Sequence, residues 1–150
     1  MTWDGAFPFV TLSCVCASGE EHRFEVRTEG VSDPEGDVWF FLAKPFAPNH
    51  QGDEEYFASF KRVGPDLLQL EGVKNSLPPP YQRCRITRAL LPHVAARHSA
   101  RIRSSRHRPS DGETRSEAAT KVWQRMVDEQ SAWYDGPEDR FYYGPKPPSS

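Results

Sequence analysis

The chain has 150 residues, a formal net charge of −2, 37% hydrophobic and 27% charged residues, and 14 prolines. That length suits one domain with one core, and no apolar run approaches the roughly 18 residues a membrane-crossing helix needs. The opening residues carry neither a basic leader nor an apolar signal core, so the reading is a cytoplasmic protein.

Residues 9–16 are rich in β-branched and aromatic types and predict a strand. Residues 17–21 predict a turn, and the alternation from His22 through Phe24 and Val26 to Thr28 predicts the return strand of a hairpin. Residues 30–36 read as a loop. The continuous apolar run Val38–Ala43 predicts a buried central strand. A second loop covers 44–54. Tyr56–Val63 and Leu67–Val73 complete a set of about five strands.

The texture then changes. Ile86, Ala89, Leu90 and Val94 fall at helical spacing within Arg85–His98. Pro92 lies inside that pattern and removes one backbone donor, which predicts a kink there or a helix whose first turn closes shortly before it. Residues 99–105 predict a short strand near an edge or cleft. Thr114 and Glu117 stand at capping-box spacing. They precede an amphipathic helix with Ala118, Ala119, Val122, Met126 and Val127 on one face. Trp133, Tyr134 and Arg140–Tyr143 predict a final hairpin. The expected fold is α+β: a mixed, mostly antiparallel sheet with two helices in the C-terminal half. The expected organisation is one domain over residues 1–143 and a flexible Pro- and Ser-rich tail over 144–150.

Charge is unevenly spread. The window from Val73 to Ser110 holds nine of the nineteen basic residues and none of the twenty-one acids, leaving the remainder with ten basic residues against twenty-one acidic ones. This predicts an anionic ligand near residues 83–108, or two halves that neutralise each other across the fold. The three cysteines are Cys14, Cys16 and Cys84. An odd count argues against a disulfide framework, and ordinary buried thiols are expected. A metal reading of Cys14 and Cys16 would need a second ligand pair, with only His22 nearby, so no metal is assigned. His93 and His98 are five apart, a poor spacing for a helical metal pair. No G-x-S-x-G, H-E-x-x-H or Walker pattern is present.

From Leu67 to Tyr143 the order is strand, loop, a turn beginning at Gln82, helix, strand, helix and aromatic hairpin. This resembles the acyl-CoA-binding half of the GNAT N-acetyltransferase superfamily, in which a strand leads into a Q/R-x-x-G-x-G/A turn at a helix N-terminus. Exposed amide groups and the helix dipole there hold a diphosphate. Gln82 matches the first motif position. Arg85 stands where the first glycine is expected, Thr87 where the second Gly or Ala is expected, and Arg83 where Gly is common. Arginine at such a place either blocks the site or reaches over it with charge-assisted hydrogen bonds.

The resemblance implies that Val73, Gln82, Arg83, Cys84, Arg85, Ile86, Thr87 and Arg88 bind acetyl-CoA or another acyl-CoA. It implies Glu71 as the base that deprotonates an acceptor amine. Trp123 aligns with the family's usual acid Tyr, and Tyr134 is the substitute if the chain brings it back. It also requires splayed strands and a pocket beside the turn, not sealed by guanidinium groups.

Three functions follow as expectations. One is an acyl-CoA-dependent N-acyltransferase acting on an unidentified amine. Another is a GNAT-like module without catalysis, serving a protein partner as inhibitor, immunity-type protein or complex subunit. The third is nucleic-acid binding through the Arg-rich segment. It is disfavoured because residues 83–108 hold no aromatic for base stacking and the chain is acidic overall.

Overall fold

A computed structural model describes residues 3–31, 37–46, 56–78, 81 and 83–148. Gln82, Pro79 and Pro80, most of both early loops and the last two residues of the tail lie outside the described residues.

The eight strands are β1 (Phe7–Val15), β2 (Glu21–Val31), β3 (Val38–Pro45), β4 (Tyr56–Gly64), β5 (Leu67–Asn75), β6 (Arg101–Ser104), β7 (Ala132–Asp135) and β8 (Arg140–Tyr143). The helices are α1 (Ile86–His98) and α2 (Glu117–Asp128). All strands join one sheet in the order β1-β2-β3-β4-β5-β6-β8-β7. Every pairing is antiparallel except β5 with β6, the two strands that α1 links. The α+β class and the predominantly antiparallel sheet agree with the sequence reading.

Alternation puts Leu12, Phe24, Val26, Phe41, Ala43, Ala58, Phe60, Leu68, Leu70 and Ile102 on one face, all buried in one core. α1 lays Ile86, Leu90, Leu91 and Val94 on that face and reaches β1. Pro92 sits on its exposed side, and the helix is assigned continuously through it. The missing donor therefore costs a solvent-side hydrogen bond and spares the core contact.

α2 differs from its expected face. Trp123 and Met126 are its buried residues, with Trp123 stacked on Phe141 at 5.9 Å, while Val122 is exposed. Its cap also differs. Ser116 accepts from the Ala119 amide at 3.0 Å, so the helix begins two residues after the position a Thr114 capping box requires.

The cysteines require a second correction. Cys16, just after β1, and Cys84, just before α1, form a disulfide across 68 residues, and only Cys14 is a free, buried thiol. Nothing in the spacing signals this. The pair meets because α1 packs back across the sheet toward β1, bringing the turn that starts it beside the end of that strand.

Candidate functional site

The β5–β6 pairing is short. Leu67–Leu70 pairs with Arg101–Ser104, after which β5 runs on to Asn75 with β4 alone at its side. The cause lies in the β4–β5 register. Ser59 pairs with Gly72 and Phe60 with Leu70, so Glu71 is an extra residue on β5. Such a bulge bends its strand and re-aims the extra side chain. The two parallel strands part at this point, and among the described residues no strand pairs with 71–75 on that side.

A cleft of about 740 Å³ opens at the parting. Its walls are the part of β5 beyond Leu70, the start of α1, Ser104 at the end of β6 with Ser105 after it, and one side of α2. Arg83, Arg85, Arg88, Arg115, Lys121 and Arg125 line it, against Glu71 as the one acid among the described lining residues. Arg85 carries the electrostatic consequence. Partial burial, and then the charges of Arg88 and Arg125, lower its pKa. Burial and the neighbouring cations thus act in the same direction on Arg85.

The turn into α1 has an unusual backbone. Arg83 has φ 59° and Arg85 φ 58°, both left-handed. This is the region glycine enters freely and other residues enter at a cost. Among the described residues no side chain caps α1. The first amide groups of Ile86, Thr87 and Arg88 therefore have neither an intrahelical acceptor nor a side-chain cap, and all three residues line the cleft. The hydroxyl of Thr87 is engaged with Tyr56 Oη at 2.6 Å, in a position buried enough to push the Tyr56 pKa well up. Across the mouth, Glu129 after α2 forms ion pairs with Arg85 and with Arg88, the latter at 3.2 Å.

The chain matches no protein-family model, no curated protein and no solved structure.

Most residues singled out in the sequence come together here. Glu71, Val73, Arg83, Cys84, Arg85, Ile86, Thr87 and Arg88 all line the cleft. Gln82 lies outside the described residues. Tyr134 is not among the lining residues. It lies on β7 and donates its hydroxyl to Asp139 at 2.8 Å, a hydrogen bond that raises its pKa. Trp123 also lines the cleft, but at 2% exposed it is held in the core against Phe141.

Sequence reasoning missed the α2 wall. Lys121 and Arg125 are spaced i, i+4, on one side of the helix with Ala118 and Val122. That spacing was a usable signal for a second basic surface. It also missed Gln69, whose amide is fully occupied. Its nitrogen donates to Glu71 at 3.3 Å and to Glu113 at 3.1 Å, and its oxygen accepts from Arg103 at 2.9 Å and Arg140 at 2.8 Å. Arg103 and Arg106 are thus engaged by Gln69, Glu113 and Asp111, so the arginine block does not present one continuous surface.

Among the described residues no three His, Cys, Asp or Glu side chains cluster to hold a metal ion, and no helix is long and apolar enough to cross a membrane.

Proposed function

We propose that the chain is a GNAT-like domain that binds acyl-CoA in this cleft and transfers the acyl group to an amine. The observation that carries the reading is the parting of β5 from β6 directly against the uncapped, arginine-rich start of α1. A diphosphate there would meet free amide hydrogens, the positive end of the helix and the guanidinium groups of Arg83, Arg85 and Arg88. The cleft-side edge of residues 71–75 offers peptide groups to an extended amide-containing arm, in the manner of strand addition.

In this reading Glu71 takes a proton from the amine, directly or through one water, as the nitrogen attacks the thioester carbonyl. The collapsing intermediate then expels the thiol sulfur. A thiol of ordinary pKa near 8.5 leaves tolerably as a thiolate, so the absence of Tyr134 from the cleft wall slows transfer without forbidding it. A positioned acid typically contributes about 10²–10⁴-fold.

A second reading, a GNAT-like module without catalysis that serves a protein partner, draws on Glu129. Its carboxylate already neutralises Arg85 and Arg88, two of the cations a diphosphate needs.

Calorimetric titration with acetyl-CoA and with CoA, on the native protein and on Arg85→Glu, separates the two. Binding that the substitution weakens tenfold or more supports the transferase. No heat from either nucleotide removes it. If binding holds, Glu71→Gln lowers the transfer rate about 10²–10⁴-fold while Tyr134→Phe leaves it unchanged.

A further inference from the structure

Cys84 sits between the two left-handed arginines of the turn, and its side chain is spent on the bond to Cys16 just after β1. We propose that the Cys16–Cys84 disulfide is a redox strap on the cleft. While the bond is intact the 83–85 turn keeps the shape that presents its amides and arginines to an anion, and reduction releases the turn and weakens anion binding. The inference goes beyond acyl transfer. It depends on the cleft as an anion site and not on which anion fills it.

Three observations carry it. First, the turn is disfavoured by its own sequence, because two non-glycine residues within three positions hold φ near +60°. Such conformations persist only where surrounding structure enforces them. Second, the only covalent tie to that turn is the disulfide, and it lands on the middle residue of the three. Third, the sheet has ties besides it. β1 pairs with β2 along its length, and Leu12, Phe24, Phe41 and Leu90 pack against one another in the core that also holds Cys16 and Cys84. Opening is therefore expected to be local. The remaining thiol does not compete for the bond at neutral pH, since burial pushes Cys14 up to about 11 and keeps it protonated.

The chemistry is a two-electron exchange. A dithiol such as dithiothreitol attacks one sulfur, the Sγ–Sγ bond breaks, the reductant closes to its own disulfide, and its two protons end on Cys16 and Cys84. Cys16 and Cys84 are 4% and 2% exposed, so attack waits for the turn to move. By linkage, an anion that holds the turn slows reduction.

The test compares oxidised protein, dithiothreitol-reduced protein and the Cys16→Ser/Cys84→Ser variant, with inorganic pyrophosphate as the probe. The proposal expects faster hydrogen exchange at the Ala89 amide, which donates to the Arg85 carbonyl at 3.1 Å, in both disulfide-free forms, with the strand amides unchanged. It expects pyrophosphate affinity at least tenfold weaker in both, and slower reduction when pyrophosphate is present. Equal exchange and equal affinity with and without the bond overturn it. So does global unfolding on reduction, which makes the bond a staple of the whole fold, and so does an oxidised protein that ignores pyrophosphate. A redox-dependent pyrophosphate response without any acetyl-CoA binding leaves the strap standing and removes the transferase reading alone.

Discussion

Arg85 and Glu129 form an ion pair that joins the residue before α1 to the residue after α2. An acid at a helix C-terminus is unfavourable against the helix dipole, and here two arginines of the cleft offset it. The pair therefore couples the geometry of the cleft mouth to its charge.

Replacing Glu129 with Gln separates those roles. The Arg85 and Arg88 guanidiniums are 37% and 42% exposed, so the lost pairs cost no more than about 1 kcal/mol of stability. Affinity for pyrophosphate or CoA should rise several-fold, and more at low salt than at high salt. Titration at two ionic strengths checks this. An unchanged affinity would mean that Glu129 does not compete for those cations.

Arg83→Gly should stabilise the oxidised protein. Its φ of 59° costs a non-glycine residue on the order of 1–2 kcal/mol, and glycine returns part of that through its more flexible unfolded chain. The expected net gain is about 0.5–1 kcal/mol, read as a higher urea midpoint with an unchanged slope.

Arg140 is the opposite case. Its guanidinium is 6% exposed and bonds Glu113, Gln69 and the Ser104 carbonyl at 2.8–3.1 Å. Arg140→Met leaves Glu113 to Arg106 and the Gln69 amide and should cost about 3 kcal/mol, near the low end for breaking a buried pair. Adding Glu113→Gln should return part of the loss. A double variant no better than the single one would place the cost in packing instead of charge.

Acid should weaken the protein at the β8 end. Partial burial opposes ionisation of Asp139. The His107 amide, the Arg115 guanidinium and the Tyr134 hydroxyl outweigh it and hold the carboxyl at about 2, below the ordinary 3.8. A depressed folded value means the stabilisation is fully present above the unfolded pKa. It is lost as pH falls from about 4 through about 2. Glu113 is also lowered and adds to the same decline. The Asp139→Asn variant should show a flatter unfolding midpoint between pH 4 and 2 than the native chain.

Much of the fold was legible because its signals are local. The five early strands carry β-branched and aromatic alternation, and α1 carries its periodic Ile86, Leu90 and Val94. The α2 boundary failed for a local reason too. Ser116 and Thr114 both suit a cap, and the path of the chain after β6 decides that Ser116 takes the role by accepting from the Ala119 amide. One wall of the candidate cleft was legible too, since Glu71, Val73 and residues 83–88 are close in sequence, while the α2 wall was not.

What the sequence by itself determined is the alternation that makes a sheet, the periodicity that makes two helices, and the concentration of arginine beside the first of them. Each is a property of neighbours a few residues apart. Tertiary structure alone decided the bulge that parts β5 from β6, the bond from Cys16 to Cys84, the reach of Glu129 to Arg85 and the withdrawal of Tyr134 from the cleft. These depend on how α1 and α2 pack across one face. Packing brings together residues 44 and 68 positions apart, and no short-range pattern encodes it.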